Sequence, residues 1–93
     1  MVSIYGLKDI DLKSIISFIV TMETGSQYNA SRLLGCSVAT ISHNIKRTQL
    51  YCGAPLFIRE GRRLTPTKDA VLLKAELKSC LLQLSSVLCK ENE

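Results

Sequence analysis

Few side chains in this chain could do catalysis or bind a metal, and they are scattered. There is one histidine, His43, and there are four cysteines, Cys36, Cys52, Cys80 and Cys89. No two cysteines stand in C-x-x-C spacing and His43 has no ligand set around it, which argues against a zinc site. No Cys–His or Ser–His–Asp set has supporting context and no glycine-rich loop cradles phosphate, so these residues point away from an enzyme. No cofactor is expected. The cysteines read as buried or half-buried free thiols, with redox sensing as the alternative.

What the chain concentrates is positive charge. The formal net charge is +4. Acids and bases balance in residues 1–35 and again in residues 67–93. Between them, Lys46, Arg47, Arg59, Arg62 and Arg63 face Glu60 alone, so the whole excess lies in residues 36–66. A basic patch confined to one segment is the footprint of phosphate contact; a merely solvated surface would spread its charge along the chain.

The segment Asn29–Lys46 holds the elements that must position this charge. Asn29–Leu34 reads as the end of a helix with Ala30, Leu33 and Leu34 as its apolar side. Gly35 can close that helix in the left-handed conformation, and Ser37 can cap the next one. In that next helix Ile41 and Ile45 point inward, while Ala39, His43 and Lys46 share another face. Two short helices with a glycine turn, the second presenting a small and polar or basic face, form a helix–turn–helix suited to the major groove.

The flanking sequence fits the same plan. Residues 1–10 are a leader with no clear period. Asp11 can cap a first helix in which Leu12, Ile15, Ile16, Ile19 and Val20 recur at helical spacing, widened by Phe18 and Met22, until Gly25 stops it. Ser26 caps the second helix. The third runs from about Val38 to Tyr51. Pro55 then forbids helix, Leu56–Ile58 reads as a strand, Glu60-Gly61 as a turn, and Arg62–Leu64 as the return strand. This hairpin is a basic wing, and its arginines suit backbone phosphate or the minor groove. After Pro66, Thr67 caps a long last helix running to about Cys89. Ala70, Leu73, Leu77, Cys80, Leu84 and Val87 are spaced as a heptad seam, with Leu81 and Leu88 widening it and Leu72 and Leu82 lying elsewhere. A chain this small has little with which to cover such a stripe, so a second copy is the economical partner.

Ninety-three residues make one modest core, and with no Trp and five aromatics that core should be mostly aliphatic. No apolar run approaches the roughly 20 residues that span a bilayer, and the start lacks the layout of a secretory signal. The expectation is a cytoplasmic, nucleoid-associated protein with no membrane partner.

Residues 11–88 resemble the N-terminal DNA-binding domain of LysR-type transcriptional regulators of bacteria. The matching pieces are DLKSIISF, ETGSQYNASRLLGCSVATIS, GAPLFIREGRRLTPT and the amphipathic final helix. The resemblance implies a mainly α fold: a winged helix–turn–helix of three helices and a two-stranded wing (residues 11–66), then a dimerising linker helix and short tail (67–93). By position it implies groove contact from Val38, Ala39, Ser42 and His43, with Arg62 and Arg63 on the wing. Val38-Ala39 stands where the family commonly has Gln-Pro. An apolar pair cannot read adenine bidentately as Gln can, although it can touch a thymine methyl. Gln27-Tyr28, Thr48-Gln49 and Asp69-Ala70 also depart from the family pattern, and Thr48 should lose core area relative to the usual leucine. These 93 residues hold no counterpart of the family's effector-binding domain, whether they are a piece of a longer protein or a naturally short one, so no small-molecule effector site is expected within them.

The expected function is a dimeric, sequence-specific regulator of transcription bound to double-stranded DNA. Val38, Ala39, Thr40, Ser42 and His43 would discriminate, while Lys46, Arg47, Arg62 and Arg63 would supply phosphate contacts. Leu73, Leu77, Cys80, Leu81, Leu84, Val87 and Leu88 would form the dimer interface. The alternative is an interaction protein that heterodimerises with a full-length relative and modulates its DNA binding.

Overall fold

A computed structural model describes residues 3–89. The short tail that the sequence predicts after the last helix, from Lys90 on, lies outside the described residues. Within the leader, Ile4–Leu7 form a single 3₁₀ turn with no buried residue. It is followed by α1 (Leu12–Thr24), α2 (Gln27–Leu34), α3 (Val38–Cys52), β1 (Phe57–Glu60), β2 (Arg63–Pro66) and α4 (Lys68–Leu88). The chain divides between Ala54 and Pro55 into two compact units.

Each α-helix begins on a side-chain cap chosen for its local chemistry. Asp11, Ser26, Ser37 and Thr67 hold extended backbone and accept from the amides of Lys13, Asn29, Thr40 and Ala70 respectively. Such caps satisfy orphan donors and contribute about 1 kcal/mol each. The turn between α2 and α3 depends on Gly35, whose φ of 69° is left-handed. There the Cys36 amide donates back to the Ser31 carbonyl at 3.0 Å, the long bond of a Schellman motif.

The first unit packs α1, α2 and α3 on one another. Phe18, Ile19, Ala30, Ile41 and Ile45 are buried, so the inward placement of the two isoleucines holds. The remaining lining is not the aliphatic one expected. Ser14, Ser17, Thr21, Ser31 and Thr48 are buried as well. On α1, Ser14, Ser17, Phe18 and Thr21 form the deepest face, whereas Ile15, Ile16 and Val20 are half-buried and Leu12 is exposed. Serine can be buried in a helix cheaply because its hydroxyl bonds back to the preceding turn: Ser17 Oγ donates to the Lys13 carbonyl at 2.9 Å. The α2 expectation also needs correction. Its buried residues are Ala30 and Ser31, while Leu34 is exposed and Leu33 is 71% exposed. Small residues on the inner side of so short a helix let its backbone approach closely and leave the leucines outside.

The second unit is the hairpin with α4. β1 and β2 are antiparallel, pairing Phe57 with Pro66, Ile58 with Thr65, Arg59 with Leu64 and Glu60 with Arg63. Leu56 is buried just ahead of β1 rather than inside it, and Arg62 sits in the turn. Gly61, the first of the two central turn residues, has a φ of 64°, as a tight II′ hairpin turn requires. Thr67 joins hairpin to helix. Its hydroxyl lies 2.9 Å from the Pro55 carbonyl, and its amide donates to the Leu56 carbonyl.

The cysteines are not buried. Cys52, Cys80 and Cys89 are exposed and Cys36 is half-buried; all four are free thiols. Their positions explain this, since Cys52 and Cys89 close helices and Cys80 lies on the outer surface of α4. No helix among the described residues is long and apolar enough to cross a membrane.

Candidate nucleic-acid interface

The site is built on α3, a helix whose two sides do different work. Ile41, Ile45 and Thr48 lie on its buried side. The opposite side carries Ala39, His43 and Lys46, all exposed, with Val38 exposed and Ser42 half-buried at its margin. Thr40 is exposed too, but its hydroxyl lies 3.0 Å from Ser37 Oγ and takes part in the cap. Leu50 continues the outer face at i+4 from Lys46 and is 80% exposed. Sequence reasoning missed it, although its spacing from Ala39, His43 and Lys46 was a usable signal.

A run of polar groups fixes how α3 is turned. Asn44 Nδ2 donates to Ser17 Oγ at 2.9 Å. Thr48 is 2% exposed, and its hydroxyl lies 3.0 Å from both the Ser14 and the Asn44 carbonyls. The tyrosine one turn further on completes the set, for Tyr51 Oη accepts from the Asp11 amide at 2.9 Å. Thr48 therefore does not simply lose core area. It exchanges a leucine's apolar contact for a hydrogen bond between two helices. These bonds are directional, so they resist rotation of α3 in a way that apolar packing does not.

Arg47 is partly committed inside the unit. Its Nη1 lies 3.3 Å from Asp11 Oδ2. On α2, Arg32 donates to Tyr28 Oη at 3.1 Å, with its guanidinium 5.9 Å from the ring centroid. The hairpin carries its own charge. Arg59, Arg62 and Arg63 are all exposed, Arg63 facing Glu60 across the strands while Glu60 accepts from the Thr65 hydroxyl at 3.0 Å.

The sequence-predicted seam on α4 divides by exposure. Leu73, Leu77 and Leu81 are half-buried in the single chain, while Cys80, Leu84, Val87 and Leu88 are exposed. Leu72 and Leu82, outside the seam, are exposed as well. No group of three or more metal-ligating side chains occurs among the described residues.

Three capped helices with a glycine turn, an outward face on the third, and a basic two-stranded hairpin define a winged helix–turn–helix of the DNA-binding kind. Residues 12–71 match the family model for bacterial regulatory helix-turn-helix proteins of the lysR family, and the chain belongs to that family. Its members regulate transcription rather than catalyse reactions. The chain is 31% identical over 77 residues to the HTH-type transcriptional regulator AceR of Acinetobacter baumannii, covering 83% of this chain and 26% of that protein. It is 35% identical over 57 residues to the regulator AbaB of Streptomyces antibioticus, covering 61% of this chain and 19% of that protein. It thus spans about a quarter or less of the length of these relatives. Among solved structures, a probable transcriptional regulator of Pseudomonas aeruginosa, PA0477, superposes with a TM-score of 0.74 at 27% identity, over 90% of this chain and 28% of that one. The BenM DNA-binding domain, solved in complex with catB site 1 DNA, shares the fold with a TM-score of 0.68 at 21% identity, over 83% of this chain and 86% of that one.

Proposed function

We propose that the protein binds double-stranded DNA sequence-specifically as a dimer and so regulates transcription, with α3 in the major groove. The observation that carries this reading is the outer face of α3, where Ala39, His43 and Lys46 stand clear of the core on a helix held firmly from behind. Val38, Ala39, Thr40, Ser42 and His43 supply discrimination. Val38 and Ala39 suit thymine methyl groups, and His43 is the hydrogen-bonding reader. Lys46 and Arg47, with Arg62 and Arg63 on the wing, supply affinity through phosphate contact and counterion release. Wing arginines in a minor groove favour A·T-rich flanks, where the groove is narrow.

Dimerisation runs through Leu73, Leu77, Cys80, Leu81, Leu84, Val87 and Leu88 on α4. Support comes from the exposed C-terminal half of that seam. The same surface supports a second reading, pairing with a full-length relative whose DNA binding it would modulate. A DNA-bound regulator works in the cytoplasm on the nucleoid. Selection from a random duplex pool at near-physiological salt tests the proposal. Enrichment of an interrupted palindrome is the expected result. Binding without enrichment, vanishing steeply with salt, would leave only the non-specific term and favour the heterodimer.

A further inference from the structure

We propose that Asp11 restrains DNA binding by Arg47, because its carboxylate competes with DNA phosphate for that arginine and lowers affinity for every duplex, the matched one at least as much as the rest. The inference rests on the DNA-binding function proposed above.

Arg47 is placed to touch DNA but is not free to do so at once. It follows Lys46 and stands four residues beyond His43, at the edge of the outer face of α3. Among the described residues it is the basic side chain of the 36–66 patch that a carboxylate holds, at 3.3 Å. The two partners are unequally fixed. Asp11 Oδ2 also accepts from the Ser14 hydroxyl at 3.0 Å, and Oδ1 accepts from the Lys13 amide. The Asp11 main chain is tied in turn to Tyr51 Oη at 2.9 Å. Asp11 is thus anchored as the cap of α1, whereas Arg47 reaches it through a long, flexible side chain that is 48% exposed.

An ion pair this open to water is weak. It breaks when a phosphate is presented closely and held in register, as in a matched complex. In a loose, sliding complex no phosphate stays in place long enough, and Arg47 remains with Asp11. A matched complex must break the pair and bears its whole cost, whereas a loose complex forgoes only a phosphate contact worth less than the pair, so Asp11 lowers affinity for both and for the matched site at least as much.

Asp11→Asn isolates this effect, because Asn caps a helix as well as Asp but carries no charge to hold Arg47. Asp11→Ser, another good cap, provides a second variant should the first fold poorly. Wild type, Asp11→Asn, Arg47→Ala and the double variant are titrated by fluorescence anisotropy with a random-sequence duplex and with the duplex recovered by selection. Salt is varied from about 50 to 200 mM.

On the random duplex, Asp11→Asn is expected to bind tighter than wild type, with a log–log salt slope steeper by about 0.9 for one added phosphate contact. Its advantage then shrinks roughly 3.5-fold across that fourfold salt range. On the selected duplex the gain is at least as large while the salt slope stays unchanged, because the contact is made there already, and Arg47→Ala in either background abolishes any effect of Asp11. The proposal is overturned if the gain persists in the double variant, if it is larger on the random duplex than on the selected one, or if there is none. Wild type that binds no duplex even at the lowest salt would instead remove the DNA-binding function, and the inference with it.

Discussion

The hydrogen bond from Asn44 to Ser17 is the most direct test of how α3 is held. Consider Asn44→Ala, Ser17→Ala and the double variant. Ser17 is buried, and its hydroxyl works twice, donating to the Lys13 carbonyl and accepting from Asn44 Nδ2 at 2.9 Å. Removing Ser17 Oγ alone strands a part-buried amide donor, which costs about 1–3 kcal/mol. The better helix propensity of alanine returns roughly 0.5 kcal/mol of that. Removing Asn44 costs about 1 kcal/mol for the net hydrogen bond and a small void, offset by a similar propensity gain. Once both are alanine no polar group is stranded, so the double variant should be less destabilised than the sum of the singles by about 1 kcal/mol. Urea unfolding followed by far-UV circular dichroism, at one fixed protomer concentration, gives the four stabilities. Purely additive singles, with a coupling under about 0.3 kcal/mol, would show that this bond does not fasten α3 to α1 and would refute the reasoning.

Three further outcomes are expected. Thr21→Val should stabilise the fold by about 1 kcal/mol in the same assay, because the Thr21 hydroxyl is buried without a hydrogen-bond partner among the described residues; a loss of stability would count against that burial. Arg62→Ala combined with Arg63→Ala should weaken binding to every duplex about equally and flatten the log–log salt slope by about 1.8, two phosphates' worth; an unchanged slope removes the wing from the interface. Leu84→Lys should leave a folded monomer in light scattering, since Leu84 is exposed in the single chain and a charge in an apolar seam is costly to bury; a persistent dimer would move the pairing surface elsewhere.

The parts of the fold legible in the sequence are those set by neighbours in the chain. A cap needs a short polar side chain and a free amide two or three residues on, so Asp11, Ser26, Ser37 and Thr67 announced their helices. Gly25 and Gly35 marked where two of them end. Ile41 and Ile45 could be assigned inward because nothing else on that side of α3 competes. What stayed hidden depends on partners far along the chain. The hydroxyls of Ser14 and Ser17 look like surface groups until Asn44 and Thr48 are brought against them. Leu33 and Leu34 look like core until the helices are placed, because counting apolar residues does not say which will be covered. The link from Arg47 to Asp11 spans 36 positions and leaves no local mark. The expectation for the cysteines rested on the average habit of their residue type, and for Cys52, Cys80 and Cys89 position prevailed over habit.

The two-sidedness of α3 has an evolutionary consequence. The residues that fasten this helix (Ile41, Asn44, Ile45, Thr48 and Tyr51) are none of those proposed to read bases. Val38, Ala39, Ser42 and His43 can therefore drift, or be randomised in a library, without loosening the fold beneath them. Surface substitutions of that kind usually change stability by no more than about 0.5 kcal/mol. A lineage built on this chain could acquire new target sequences by small steps, each leaving a folded protein for selection to act upon.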